Sequence, residues 1–149
     1  MLSTSDLRAR VAVAIEALDG FTESRWSAPL LGRDTSHIAH KSFAVDIPTT
    51  RIVEATRQRQ RIAEGLLVQS DLVVSYVWSI RGDAQVADMA SALTADQTVL
   101  HAVMGISRAN LSGLLFDSMT HALKGGTNGS WRIGTLTFRA VHQIPPPAV

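Results

Sequence analysis

Any chemistry in this chain has to come from histidines, serines, acids or arginines, because its 149 residues include no cysteine. That removes disulfides, thiol nucleophiles, cysteine-held zinc and iron–sulfur clusters. His37 and His40 are three residues apart and would share a face if helical, with Asp34 the nearest third ligand. The segment around them has no helical period and no His-Glu-x-x-His pattern, so packing or solvated histidines are expected and no metal is assigned. His101, His121 and His142 stand apart from any such cluster. No serine sits in a Gly-x-Ser-x-Gly elbow, so no catalytic residue is assigned. Gly125-Gly126-Thr127-Asn128-Gly129 has the glycines of a phosphate cradle, but a strand-like run follows it instead of a helix N-terminus. It reads as a hairpin loop, and no cofactor is expected.

Arg51, Arg57, Arg59 and Arg61 form the one local charge feature. Two readings stand. The row is a solvated edge strand kept from aggregating by its charge, or it is a contact surface facing another subunit or DNA phosphates. No aromatic residues interleave with these arginines, which argues against base stacking on a single strand. Trp78 reads as core, whereas Trp26, with Leu30 and Leu31, lies in a long irregular stretch and is a candidate interface anchor.

The elements that must carry these residues follow from periodicity. Leu7, Val11, Ile15 and Leu18 draw one helical stripe, with Ser3 or Ser5 as cap and Asp19-Gly20 as the stop. Residues 21–41 lose any period. Phe43, Val45 and Ile47 alternate as a short strand that Pro48 is expected to close. The stretch 49–65 suits a strand or a helix, with strand preferred. Leu72, Val74, Tyr76, Trp78 and Ile80 share one face of the clearest strand.

After Asp83, a possible cap, helical spacing runs through Val86, Ala90 and Leu93. Thr94-Ala95-Asp96-Gln97 then fits a capping box opening a second set of turns through Val103 and Met104. One kinked helix and two helices both remain open. Leu111, Leu114, Leu115, Met119 and Leu123 also match helical spacing, although a pair of short strands is preferred for 110–124. Trp131–Val141 is a final strand with Leu136, Phe138 and Ala140 inward, and Ile144-Pro145-Pro146-Pro147 begins a stiff end over 144–149. The order predicts one domain over 1–149: an α/β two-layer sandwich, a mostly antiparallel mixed sheet with helices packed on one face.

Apolar residues make up 46% and charged ones 18%, and formal net charge is +1, so the chain reads as globular with no electrostatic pull toward nucleic acid or membrane in general. The opening residues lack a basic start followed by an apolar core, and no apolar run approaches membrane-spanning length. A soluble protein is expected, and the missing cysteines fit assembly in a reducing cytoplasm.

The order of elements resembles a known family. The helix over Ser5–Leu18, the strand Phe43–Pro48 leading to an arginine segment, the strand-to-helix passage Val73–Asp83 running on to Val103, and the closing strand Trp131–Val141 with its proline-rich end together look like the tail-terminator, or tail-completion, proteins of long-tailed bacteriophages. The likeness covers most of the chain and rests on element order, with no invariant motif. It implies a non-catalytic structural virion protein. Such a protein forms a hexameric ring of like subunits at the head-proximal end of the tail tube, in the neck region. The ring stops tube polymerisation and offers a surface for head attachment. Implied partners are the tail tube protein, a head-completion or neck protein, and DNA passing through the lumen; no membrane is implied. Candidate contact residues, chosen by location, are Trp26, Leu30, Leu31, Arg51, Arg57, Arg59, Arg61, Thr127 and Asn128. Alternatives are another head–tail joining protein of the same particle, or a small α/β ligand-binding module or enzyme, which would need a deep pocket with converging polar groups.

Overall fold

The computed structural model describes residues 1–24, 39–53, 65–126 and 129–146. Helix α1 spans Thr4–Glu16, and Ser3 caps it by accepting the Asp6 amide at 3.0 Å. Its stripe of Leu7, Val11 and Ile15 is fully buried. Gly20, at φ 78°, takes the left-handed turn that lets the chain double back after α1.

The strands are β1 (Thr22–Glu23), β2 (Ser42–Ile52), β3 (Leu66–Arg81), β4 (Leu111–Gly126) and β5 (Gly129–Ile144). They form one five-stranded sheet in the order β1-β2-β3-β5-β4. The short β1 runs parallel to β2, and every other pairing is antiparallel. Helix α2 (Gln85–Met104) joins β3 to β4. Both helices pack on one side of the sheet, so the α/β two-layer sandwich with a mixed, mostly antiparallel sheet is the architecture of this chain. The core lies between the layers: Leu7, Val11 and Ile15 of α1 and Val99 and Val103 of α2 meet Phe43, Leu72, Val74, Tyr76, Leu136 and Phe138 of the sheet. A smaller cluster of Val77 and Ile133, with Trp131 against it, occupies the opposite face.

Several expectations change. Pro48 does not close β2; the strand runs on to Ile52, and the ladder with β3 shifts register between Asp46 and Thr49. A residue with no amide hydrogen is tolerated at such a bulge. The helical region is one helix. Thr94 lies in its interior and bonds back to the Ala90 carbonyl at 3.2 Å, so the expected capping box is absent, and the N-cap is Ala84 instead of Asp83. The stretch expected as two short strands over 110–124 is, from Leu111 on, a single long strand. Its register shifts between Leu111 and Gly113 and between Phe116 and Ser118 move its apolar residues out of simple alternation.

Candidate functional site

Of the residues expected to make contacts, Arg51 is the one within the described parts. Trp26, Leu30, Leu31, Arg57, Arg59, Arg61, Thr127 and Asn128 lie outside them, as do Asp34 and His37. Arg51 sits on β2 opposite Gln69 of β3, and its Nη2 donates to Asp71 Oδ2 at 2.9 Å. Both side chains are partly exposed, at 60% and 25%, so the pair contributes little to stability. Arg51 therefore stands on a charged edge strand with a cross-strand partner.

That edge is one of two. At the far side of the sheet, β4 pairs with β5 along one flank and has no strand on the other among the described residues. Its 16 residues extend about 50 Å. An edge this long offers a row of free amides and carbonyls to any extended chain, and natural sheets usually blunt such edges with lysine, proline or bulges. Here β4 holds no proline, one lysine at 124, and bulges only in its first half, so Ser118–Gly126 is regular.

The side chains on β4 add to this. Leu115 (67%), Phe116 (39%), Met119 (36%) and Leu123 (56%) are exposed. The β4–β5 register sets Phe116, Met119, His121 and Leu123 opposite Phe138, Leu136, Gly134 and Arg132, which puts them on the helix side. α2 does not reach far enough to cover them. Between its outward residues Val86, Met89, Ala90 and Leu93 and the side chain of Leu123 runs an apolar groove of about 490 Å³. Of the nine large apolar side chains exposed among the described residues, six belong to β4 or to this side of α2. Leu115, opposite Arg139, faces away from the helices; the other five lie on the helix side, and apolar side chains gathered on one face are a feature of interaction surfaces.

At the other edge, β1 covers only Ser42 and Phe43 of β2, and Arg8 Nε donates to the Val45 carbonyl at 3.1 Å. From Asp46 to Ile52 no strand lies on the outer flank of β2 among the described residues.

A buried polar cluster ties α2 to β3 and β5. Arg132 of β5, 1% exposed, donates from Nη1 to Asp96 Oδ1 at 2.9 Å and from Nη2 to Asp96 Oδ2 at 2.7 Å. The Tyr76 hydroxyl donates to Asp96 Oδ1 and accepts from Arg132 Nη1 at 3.1 Å. Burial pushes the Tyr76 hydroxyl well above its ordinary pKa, and the neighbouring Asp96 carboxylate adds to the rise. The ring fits because residue 134 is glycine: a Cβ there would lie 2.6 Å from Tyr76 Cε1. A second buried set joins Ser70 Oγ to His142 Nε2 at 2.8 Å, and His142 Nδ1 donates to the Leu2 carbonyl at 2.7 Å. It ties the start of the chain to β5, beside Leu2 N donating to the Gln143 carbonyl at 2.9 Å.

The remaining histidines do not converge. His101 and His121 are exposed, and among the described residues no three histidine, aspartate or glutamate side chains are grouped as metal ligands. His40 Nδ1 accepts the Ser79 amide at 3.0 Å, and its ring lies edge-on to Trp78 at 4.5 Å. Burial, then Lys41, lowers its pKa. Trp78, expected in the core, is only half-buried, with the Lys41 ammonium 5.5 Å from its ring centre. Among the described residues, no helix is long and apolar enough to cross a membrane.

The β4 patch escaped the reading of the sequence. Its signal was the density of Leu114, Leu115, Phe116, Met119 and Leu123, which the two bulges disguise as a helical period. No known family model matches the chain, and no curated protein sequence matches it.

Proposed function

We propose that this chain is a structural subunit that assembles with its own copies into a ring, and that the ring is the tail terminator of a long-tailed bacteriophage. The observation that supports assembly is the β4 flank: a long edge with no strand beside it among the described residues, whose exposed Phe116, Met119 and Leu123 on the helix side are continued onto α2 by Val86 and Leu93. Left in water, that surface forfeits both main-chain hydrogen bonds and apolar burial, and a protein partner supplies both. The order of helix, strands, helix and strands supports the terminator identity by resemblance.

In this reading the subunit does no covalent chemistry and acts by shape. One side of the ring seats on the last ring of the tail tube, and the other lacks the surface that recruits a further tube ring and receives a head-completion protein instead. The lumen passes DNA. The chain is assembled in the host cytoplasm and resides in the virion neck.

Electron micrographs of tails assembled without this chain provide the test. Tubes of uncontrolled length that do not join heads are the expected result. Tubes of normal length that still fail to join heads would replace the terminator role with another neck role, and normal, head-joined tails would remove both.

A further inference from the structure

The two edges of the sheet that carry no further strand among the described residues fit each other. The four long strands β2, β3, β5 and β4 are antiparallel at every step, so β2 and β4 run in opposite directions. An even number of alternating strands has a geometric consequence. If a second copy is placed beside the first by a rotation that keeps strand direction, its β2 meets the first copy's β4 antiparallel. Head-to-tail repetition then extends one continuous sheet without reversing any strand.

The faces also match. In β2, Asp46, Thr49 and Arg51 pair with Val73, Asp71 and Gln69, on the side away from the helices, while Thr50 and Ile52 pair with Ser70 and Val68, on the helix side. In β4, Lys124, Ala122 and Thr120 lie away from the helices, and Leu123, His121 and Met119 lie toward them, by their partners on β5. One register satisfies both patterns once the extra residue of the β2 bulge is allowed for. It sets Asp46 against Lys124, Ile47 against Leu123, Thr49 against Ala122, Thr50 against His121, Arg51 against Thr120 and Ile52 against Met119.

In that register, Asp46 and Lys124 form an ion pair, and neither has one among the described residues. Ile52 (42% exposed) covers Met119 (36%), and Ile47 reaches Leu123 at the mouth of the apolar groove. The ladder uses the half of β4 that is free of bulges and the part of β2 that β1 leaves uncovered. Pro48 breaks it at one position only, inside the bulge.

We infer that the contact between copies is this β4-to-β2 strand pairing, with Asp46 opposite Lys124 fixing the register. The inference deepens the ring reading and rests on its head-to-tail arrangement. A second copy is the occupant because direction, face, charge and apolar positions are all complementary within one sequence.

The absence of native cysteines makes disulfide trapping clean. Within one chain, Thr49 and Ala122 are on opposite edges, separated by three strand spacings (about 14 Å) across the sheet and by a further six residues or about 20 Å along it, too far to bridge. Oxidising the Thr49→Cys/Ala122→Cys variant at millimolar concentration should give a ladder of dimers and higher species on a denaturing gel, while each single variant stays monomeric. Lys124→Asp should cut the yield several-fold, and adding Asp46→Lys should restore it. Dimers from Ala122→Cys alone would show β4 meeting itself and overturn the inference. So would a double variant that has native circular dichroism yet stays monomeric. Loss of tail-length control with no ladder would leave the terminator reading in place and remove the strand pairing; a ladder with normal tails would do the reverse.

Discussion

Arg132 and Asp96 face each other through two parallel hydrogen bonds of 2.9 and 2.7 Å, one reaching down from α2 and the other up from β5, with both side chains out of water. Arg132 Nε beside them has no partner among the described residues. Removing one member should strand the other as an uncompensated charge. Asp96→Ala or Arg132→Ala is expected to cost about 3–5 kcal/mol, read as a lower urea midpoint. The double replacement Asp96→Leu/Arg132→Met removes both charges and the orphaned Nε, and it should recover most of that loss. Additive losses in the double variant would contradict the pairing.

The Ser70–His142 bond makes a similar but smaller forecast. Ser70→Ala leaves His142 Nε2 buried without a partner and should cost about 1–3 kcal/mol by denaturant titration. Thr50 also bonds Ser70, at 3.0 Å, but is itself exposed, so Thr50→Ala should cost less. An equal loss for the two would mean that burial at His142 does not set the penalty.

Acid should weaken the Arg81–Asp88 pair. The Arg81 guanidinium, and after it the Arg81 amide, hold the Asp88 carboxyl down at about 2, from an ordinary 3.8. A carboxyl with a lowered folded pKa binds its proton more readily in the unfolded chain. Its contribution is therefore complete above the unfolded value and is lost as pH falls toward the folded one. Asp88→Asn should be less stable than the parent at pH 7, and the gap should close between about pH 4 and pH 2. Thermal melts at stepped pH measure it; a gap independent of pH would remove the ion pair as its cause.

How far the sequence reveals these features depends on whether the signal is local. The α1 stripe of Leu7, Val11 and Ile15 and the alternation in Leu72–Ile80 are backbone periods, and both fall where the pattern puts them. Helix α2 was legible except for its continuity, because Thr94 carries a cap signature that its bond to Ala90 satisfies inside the helix. β4 was legible as strand but not as one strand, since two bulges rotate its apolar residues between faces and the spacing that survives mimics a helix. Asp96 and Arg132 carry no local signal of pairing, although Arg132 continues the period-two inner face of Leu136, Phe138 and Ala140; only the fold brings the two charges together. The expected contact residues come from two loops and the arginine segment, whereas the described open surface is on strands β2 and β4 and on α2. Arg51 alone is common to both.

Gly134 tests how tightly the tyrosine of the buried cluster is seated. The Tyr76 ring crosses directly over the β5 backbone there, and a methyl group would meet Cε1 at 2.6 Å, Cζ at 3.0 Å and Asp96 Oδ1 at 3.2 Å. Ring carbons buried on every side cannot swing away, and moving them would also stretch the bonds to Asp96 and Arg132. Gly134→Ala is therefore expected to cost about 1–3 kcal/mol, as overpacking does elsewhere. Tyr76→Phe in the same chain should not rescue it, because the clash is with the ring and not the hydroxyl. Gly125→Ala, on the same sheet but with nothing within 4 Å of the added carbon, supplies the control and should be close to neutral. Equal urea midpoints for Gly134→Ala and Gly125→Ala would mean that the sheet yields at β5, and that Tyr76 does not set the spacing between α2 and the sheet on which the open groove depends.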